Sequence, residues 1–225
     1  ASRAHPERGQ RPSVESVLHH LMPQRFIVHT HPVAANALTC AQDGPRLCAR
    51  LFGDSVLWLD YTDPGITMAR RFGEALSRWE REGGPAPEAV LVQNHGLFVG
   101  ADTPEGVVAV TDRVLSAVSG LAGAVDSKPF GTVTPRPPDE ARRLVETVGP
   151  ALRALLGTDT QRAIVTFDDS PLAVSLAAGA EGGETASGGP LTPDQIVYCG
   201  CFPMWVSAAP TDSEEDIIVT LREAV

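Results

Sequence analysis

Apolar residues along this chain follow a helical spacing in some segments and form short continuous runs in others. The clearest helical pattern opens at Pro64 and ends before Gly83, because its apolar residues recur at spacings of three and four. Further helices are predicted over 13–21, 33–41, 45–52, 104–123, 138–156 with a break at 149–150, and 213–223. Strands are predicted over 26–28, 56–59, 89–93, 97–99, 163–167, 195–199 and 204–206.

The order of these elements is neither a regular strand–helix alternation nor a single type of structure. Several strands lie close in sequence with helices between them. This order predicts an α/β fold in which helices pack on a mixed or largely antiparallel sheet.

Length and composition suit one domain, or a domain with a small appendage, and we expect a single domain over residues 1–225. The chain has 225 residues, of which 43% are hydrophobic, and that is enough for a sizeable core. Residues 1–12 form a polar, extended arm by composition, and the glycine-rich segment 179–190 is predicted to be a flexible loop.

The charge balance disfavours two classes of partner, although it does not exclude a local basic patch. The chain carries 18 Lys and Arg against 28 Asp and Glu, a net charge of −10. Such an acidic chain disfavours binding to nucleic acid or to an anionic membrane. The sequence also lacks an apolar run of about 20 residues and a signal-peptide core. We therefore expect no nucleic-acid partner, no membrane association and a cytoplasmic location.

Four cysteines lack the spacing of a zinc finger. They are Cys40, Cys48, Cys199 and Cys201. In a chain of this length they do not indicate a disulfide scaffold, so we expect buried, reduced thiols.

Three histidines form the candidate chemistry of the chain. His29 and His31 are two residues apart at the end of a predicted strand, so their side chains share one face. His95 lies at the break between two predicted strands and precedes Gly96, which allows a close backbone approach. Three imidazoles with an open position are the usual arrangement of catalytic zinc. Hydrogen-bonded structural histidines remain the alternative.

Two residues upstream have both a structural and a functional interpretation. Glu15 is predicted in the first turn of a helix, where it either complements the helix dipole or acts as a general acid/base beside a metal. Ser13 is predicted to be the N-cap of that helix, with a ligand contact as the second interpretation.

Three motifs in order resemble the class II aldolase/adducin family. They are Arg-Pro-Ser-Val-Glu at 11–15, His-Thr-His-Pro at 29–32 and Asn-His-Gly-Leu-Phe-Val-Gly at 94–100. The segments 61–65, 167–171 and 191–194 resemble one branch of it, the aldolase portion of bifunctional rhamnulose-1-phosphate aldolase/alcohol dehydrogenase-like proteins. The resemblance extends over about residues 10–206.

The resemblance implies α/β/α layers around a mostly antiparallel sheet and a homo-oligomer, usually a tetramer. It also implies that His29, His31 and His95 hold a divalent metal, with zinc preferred, and that Glu15 is the acid/base. Ser13 and Asn94 are the expected substrate contacts. The expected substrate is a small sugar or sugar phosphate. The chain begins fourteen residues before Glu15, so we expect that it lacks most of the family's N-terminal phosphate cradle.

The chemistry of carbon–carbon cleavage agrees with this resemblance. Cleavage next to a carbonyl leaves an enediolate, which a divalent cation on neutral imidazoles stabilises as a Lewis acid. The sole lysine, Lys128, lies in a turn-like segment, which argues against a Schiff-base mechanism. The same site suits an epimerase or a dehydratase, and a non-catalytic adducin-like interaction protein is the further alternative. A barrel hydrolase is excluded, because it needs about 250 residues of alternating strand and helix.

Overall fold

A computed structural model describes residues 7, 9, 13–121, 130–131, 133–209 and 211–225. Most of the predicted N-terminal arm and Lys128 lie outside these residues. The strands are β1 (Phe26–Thr30), β2 (Val56–Leu59), β3 (Ala89–Val92) and β4 (Gly96–Ala101). The α-helices are α1 (Ser16–Leu21), α2 (Val33–Thr39), α3 (Gly44–Phe52), α4 (Ile66–Arg81), α5 (Pro104–Leu121), α6 (Pro138–Leu156), α7 (Pro171–Ala178), α8 (Gly182–Ser187) and α9 (Glu214–Ala224). A 3₁₀ turn spans Gly53–Ser55 and a π-helical turn spans Gln195–Cys199.

The four strands form one sheet in the order β1-β4-β3-β2. β1 pairs antiparallel with β4, and β4 pairs antiparallel with β3, whereas β2 runs parallel to β3. In the first pairing His29 lies opposite Phe98 and Thr30 lies opposite Leu97. The largely antiparallel sheet predicted from the sequence is confirmed.

Helices cover both faces of this sheet. Alternate side chains of β3 point to opposite faces, so Leu91 joins one buried cluster while Val90 joins the other. The Leu91 cluster contains residues of α2, α3 and α5, and the Val90 cluster contains residues of α1 and α4. The α/β/α arrangement predicted for the chain is therefore confirmed around this sheet.

The described chain divides into two compact units. The first contains the described residues up to 121 together with Leu191–Tyr198, and the second contains those of 130–190 and 199–225. In the second unit α6 packs against α9. The single domain predicted over 1–225 stays a prediction beside this division.

Three strand predictions are wrong. Residues 163–167 and 204–206 adopt no regular structure, and 195–199 forms the π-helical turn. Ile164 and Tyr198 are 89% and 81% exposed, so their apolar side chains do not line a buried sheet face. A strand is stable only when it packs beside other strands, and apolar composition alone does not provide that partner.

One helix prediction and one loop prediction also differ from the structure. Helix α6 continues through Pro150, where a break was predicted. Proline removes one backbone donor and costs free energy, but its fixed φ is compatible with a helix. The glycine-rich segment 179–190, predicted as a flexible loop, contains the short helix α8.

The thiols differ in burial from what we expected. Cys48 is buried, and its burial raises its pKa to about 11. Cys40 is half-buried, whereas Cys199 and Cys201 are exposed, so the prediction of buried thiols is wrong for the last two. Cys199 lies in the segment 195–199, which forms no strand. Among the residues that the structure describes, no helix combines the length and apolar character that a membrane span requires.

Candidate metal centre

Four side chains of metal-ligand type converge beside β1 and β4. They are Glu15, His29, His31 and His95, and one ligand atom from each lies within 4.8 Å of the others. Glu15 precedes α1, the first two histidines lie at the end of β1, and His95 lies in the turn between β3 and β4. The structure therefore brings together the four residues that the sequence singled out.

The period of a β-strand explains why the first two histidines meet. His29 is in β1, and His31 follows the strand by one residue, so both side chains point to the same side. Their Nε2 atoms are 2.8 Å apart, and the Nε2 atoms of His29 and His95 are 3.2 Å apart. Three imidazole nitrogens thus face a common point.

The turn between β3 and β4 positions the third histidine. Asn94 has φ +53°, a left-handed conformation that asparagine tolerates better than most residues. Its backbone N–H donates to the Thr39 carbonyl oxygen, which ties the turn to α2. At Gly96 a Cβ atom would lie 2.7 Å from the Thr30 carbonyl oxygen and would also contact His31. Glycine at 96 is what lets the turn approach β1 this closely.

Hydrogen bonds at Nδ1 fix the ring orientation of two of the histidines. The Nδ1 of His29 donates to the Leu97 carbonyl oxygen at 3.0 Å, since a carbonyl can only accept. The Nδ1 of His31 lies 2.8 Å from Asp194 Oδ2 and donates to that carboxylate. The Nε2 atoms of the two rings then face each other at 2.8 Å, too close for two lone pairs with nothing positive between them. This donor set fits a cation, because a shared cation removes the repulsion.

Burial keeps the imidazoles in their metal-binding form. Loss of solvent lowers the pKa of His29 to about 4, although the nearby Glu15 carboxylate opposes the shift. Burial also lowers the pKa of His95, again against the opposing effect of Glu15. Both rings are therefore neutral at neutral pH, as metal binding requires.

Glu15 lies against the histidines from the side of α1. Its Oε1 is 2.9 Å from His95 Nε2 and 3.5 Å from His29 Nε2. The helix begins at Ser16, so Glu15 occupies the N-cap rather than the predicted first turn. This position directs the carboxylate away from the helix and toward the imidazoles.

The two predicted substrate contacts have other partners in this structure. Ser13 is not the N-cap that the sequence predicted; its Oγ accepts from the Glu15 backbone N–H at 3.2 Å. Such a bond two residues along the chain is a local turn of the kind that serine favours. The Nδ2 of Asn94 donates to the Leu191 carbonyl oxygen at 3.1 Å. A substrate contact at either residue stays a prediction.

Two residues beside the histidines were not predicted from the sequence to be part of the site. Asp194 reaches His31 from a distant part of the chain, and Phe98 stacks on the His29 ring. The resemblance singled out residues 191–194 as a segment without giving Asp194 a role. Phe98 is fully buried and reads in the sequence as an ordinary core residue of a strand.

Comparisons with known proteins identify the same region. A model of the family described as "Class II Aldolase and Adducin N-terminal domain" matches residues 2–117. The chain is 24% identical over 204 residues to a protein of Bacillus subtilis (strain 168) called "Uncharacterized oxidoreductase YuxG", a match that covers 89% of this chain and 29% of that protein. The chain therefore spans less than a third of this curated relative.

A solved structure is also similar to part of the chain. It is the N-terminal class II aldolase domain of a conserved protein from Thermoplasma acidophilum, at 25% identity and a TM-score of 0.42. The match covers 49% of this chain and 48% of that one.

Proposed function

The chain belongs to the class II aldolase and adducin N-terminal domain family, and from this premise we propose that it is a metal-dependent carbon–carbon lyase. The proposed substrate is a small sugar or sugar phosphate, cleaved in the aldolase manner. One observation supports the proposal above the others, the convergence of three imidazole Nε2 atoms and one carboxylate. Three imidazole nitrogens and a carboxylate oxygen within 4.8 Å of one another form a donor set that suits a divalent ion.

His29, His31 and His95 would hold the divalent ion, with zinc preferred. A divalent ion on three neutral ligands keeps its charge and supplies a Lewis acid for the negative oxygens that develop during cleavage. The chain provides the neutral ligands, because burial lowers the pKa of His29 and of His95. The Leu97 carbonyl oxygen holds the ring of His29, and the Asp194 carboxylate holds the ring of His31.

We assign proton transfer at carbon to Glu15. Its carboxylate is half-buried, and Oε1 lies within hydrogen-bond distance of His95 Nε2. A carboxylate at this distance from the ligands reaches a substrate held beside them, and it can take and return one proton during the reaction.

The same residues suit two related reactions and one non-catalytic role. An epimerase or a dehydratase would also use a Lewis acid and a carboxylate, and product analysis separates these reactions from cleavage. An adducin-like interaction protein would not need the converging ligands.

We further propose a cytoplasmic homo-oligomer, a tetramer by family resemblance. Light scattering after size-exclusion chromatography tests the oligomeric state.

Metal analysis tests the metal centre directly. We expect the unmutated protein to bind one equivalent of Zn²⁺ or another divalent ion and His95→Ala to lose it. His20→Ala is the matched control, because this exposed histidine lies outside the cluster. Failure of the unmutated protein to bind a stoichiometric ion, even when metal is supplied, would refute the proposed function.

A retro-aldol screen of ketoses and ketose phosphates tests the reaction. We expect Glu15→Gln to retain the metal and to lose about 100-fold or more in kcat, the usual contribution of a general acid/base. Unchanged turnover in Glu15→Gln would remove Glu15 from the role assigned to it.

A further inference from the structure

The side chain of His31 contacts a carboxylate from the later part of the chain. Asp194 Oδ2 lies 2.8 Å from His31 Nδ1, and the two side chains are 46% and 19% exposed. Asp194 belongs to Leu191–Tyr198, which lies in the same compact unit as the sheet. It also lies outside the part of the chain that the family model matches, residues 2–117.

His31 needs an external partner more than His29 does. His29 lies within β1, donates to the Leu97 carbonyl oxygen of the paired strand and stacks on Phe98. His31 lies beyond the last residue of β1, so strand pairing does not orient its ring. Within the described residues, the side chain that bonds to its Nδ1 is Asp194.

The segment that carries Asp194 is tied to the metal centre at a second point. The Leu191 carbonyl oxygen accepts from Asn94 Nδ2 at 3.1 Å, next to His95 in the turn. The Leu191 backbone N–H donates to Gln195 Oε1 at 2.8 Å, and the Gln195 backbone N–H donates to the Thr192 carbonyl oxygen. These bonds close a turn that contains Asp194 and attach it to the β3–β4 turn. The backbone of Asp194 is therefore held in place beside His31.

We propose that Asp194 is a positioning residue of the metal centre and that it acts through His31. By accepting the Nδ1 proton, the carboxylate fixes the tautomer and the ring orientation that direct the His31 Nε2 lone pair at the Nε2 atoms of His29 and His95. Carboxylates that hold a metal-binding histidine in this way contribute about 10- to 100-fold to metal affinity. The inference rests on the proposed function only in that the cluster binds a metal; it requires no particular reaction.

Titration with Zn²⁺ against a competing chelator tests the inference. We expect Asp194→Ala to bind Zn²⁺ about 10- to 100-fold more weakly than the unmutated protein. Asp194→Asn should lose less, because its amide oxygen still accepts from Nδ1 although it carries no charge. Asp112→Ala is the matched control, since it removes an exposed carboxylate of α5. Affinities of Asp194→Ala and Asp112→Ala within twofold of each other overturn the inference.

A second measurement separates positioning from general stability. The ¹⁵N spectrum of the metal-free imidazoles reports which ring nitrogen is protonated, and we expect His31 to shift from the Nδ1–H tautomer toward a mixture in Asp194→Ala. A variant with weaker binding but an unchanged His31 tautomer contradicts the positioning role. Tight Zn²⁺ binding by Asp194→Ala together with loss in His95→Ala refutes only the role of Asp194. Absence of binding in the unmutated protein refutes both this inference and the proposed function.

Discussion

The imidazole of His29 stacks on the ring of Phe98, with ring centroids 3.8 Å apart and ring planes 10° apart. The two residues face each other across the antiparallel pair of β1 and β4. Phe98 is fully buried, and Phe72 of α4 meets it edge to face with ring centroids 5.3 Å apart. A residue of the hydrophobic core therefore sets the plane of a candidate metal ligand.

Substitution of this aromatic residue should affect stability and metal binding together. We expect Phe98→Leu to lower the free energy of unfolding by about 1–3 kcal/mol, because the smaller side chain packs imperfectly in a filled core. It should also weaken Zn²⁺ affinity several-fold, because His29 loses the surface that fixes its plane. Urea denaturation and chelator competition measure the two effects.

Phe72→Leu is the matched control for this variant. Phe72 is equally buried in the same cluster and contacts Phe98. We expect a similar loss of stability with Zn²⁺ affinity nearly unchanged. Equal losses of affinity in the two variants would mean that the stacking has no specific effect on His29.

The close approach of the β3–β4 turn to β1 predicts a strong effect at Gly96. A methyl group there would meet the Thr30 carbonyl oxygen at 2.7 Å and the His31 ring. Backbone must move to relieve this contact, so we expect Gly96→Ala to cost about 1–3 kcal/mol and to weaken Zn²⁺ binding. Thermal unfolding with and without Zn²⁺ shows both effects, since bound metal stabilises the folded state by mass action.

Gly120→Ala provides the comparison within a helix. Gly120 lies in α5, and a Cβ atom there would meet nothing within 4 Å. Alanine favours a helix over glycine by up to about 1 kcal/mol, so this variant should be as stable as the unmutated protein or more so. If Gly96→Ala matched Gly120→Ala in stability and Zn²⁺ affinity, the tight approach would have no consequence.

The buried histidines predict how stability depends on pH. The pKa of His29 is lowered from 6.5 to about 4 in the folded protein, and that of His95 is also lowered. Between these two pKa values of His29 the unfolded chain binds more protons, so the free energy of unfolding of metal-free protein falls as the pH falls. The contribution of the neutral His29 ring to the free energy of unfolding is fully present above pH 6.5 and is lost as the pH falls toward 4. His29 alone should account for no more than about 2 kcal/mol between pH 7 and pH 5.

Urea denaturation of chelator-treated protein at pH 7 and pH 5 measures this dependence. His29→Gln removes this titrating group, so the free energy of unfolding should differ less between pH 7 and pH 5. His20→Gln should leave the difference unchanged, because His20 is exposed and outside the cluster. The same pH dependence in His29→Gln as in the unmutated protein would contradict the assigned cause.

Helix α9 supports a prediction that is independent of the metal. Ser213 Oγ accepts from the Asp216 backbone N–H at 3.2 Å, and Asp216 Oδ2 accepts from the Ser213 backbone N–H at 3.0 Å. This reciprocal capping box satisfies donors that a helix start leaves free. We expect Ser213→Ala to lower the free energy of unfolding by about 1 kcal/mol, measured by urea denaturation. Ser213→Thr retains the hydroxyl and should retain most of the stability; an equal loss in both variants would argue against the cap.

Local patterns in the sequence account for much of the sheet and of the histidine cluster. The runs at 56–59 and 89–92 are entirely apolar, and both became largely buried strands, the first at the edge of the sheet and the second inside it. His29 and His31 share a side because a strand repeats every two residues. Each of these predictions needs information from only a few neighbouring positions.

Features that depend on distant parts of the chain were not predictable in the same way. The bond between His31 and Asp194 joins positions 163 residues apart, and neither residue carries a local signal of the other. The segment 163–167 has the composition of a strand, yet no described strand pairs with it. The residue composition shows that a segment can form a strand. Whether another strand lies beside it to pair with depends on the tertiary fold.

The register of β1 on β4 gives the metal centre a further consequence for folding. His29 opposite Phe98 and Thr30 opposite Leu97 define one of several ways in which two apolar strands can align. A slip of one residue would turn every side chain of β1 to the other face. His29 would then point away from His95, and the slipped chain would retain a hydrogen-bonded sheet without a complete ligand cluster. Under the proposed function, metal added during refolding would stabilise only chains with the correct register, so the yield of metal-loaded protein would measure the fraction of correctly paired chains.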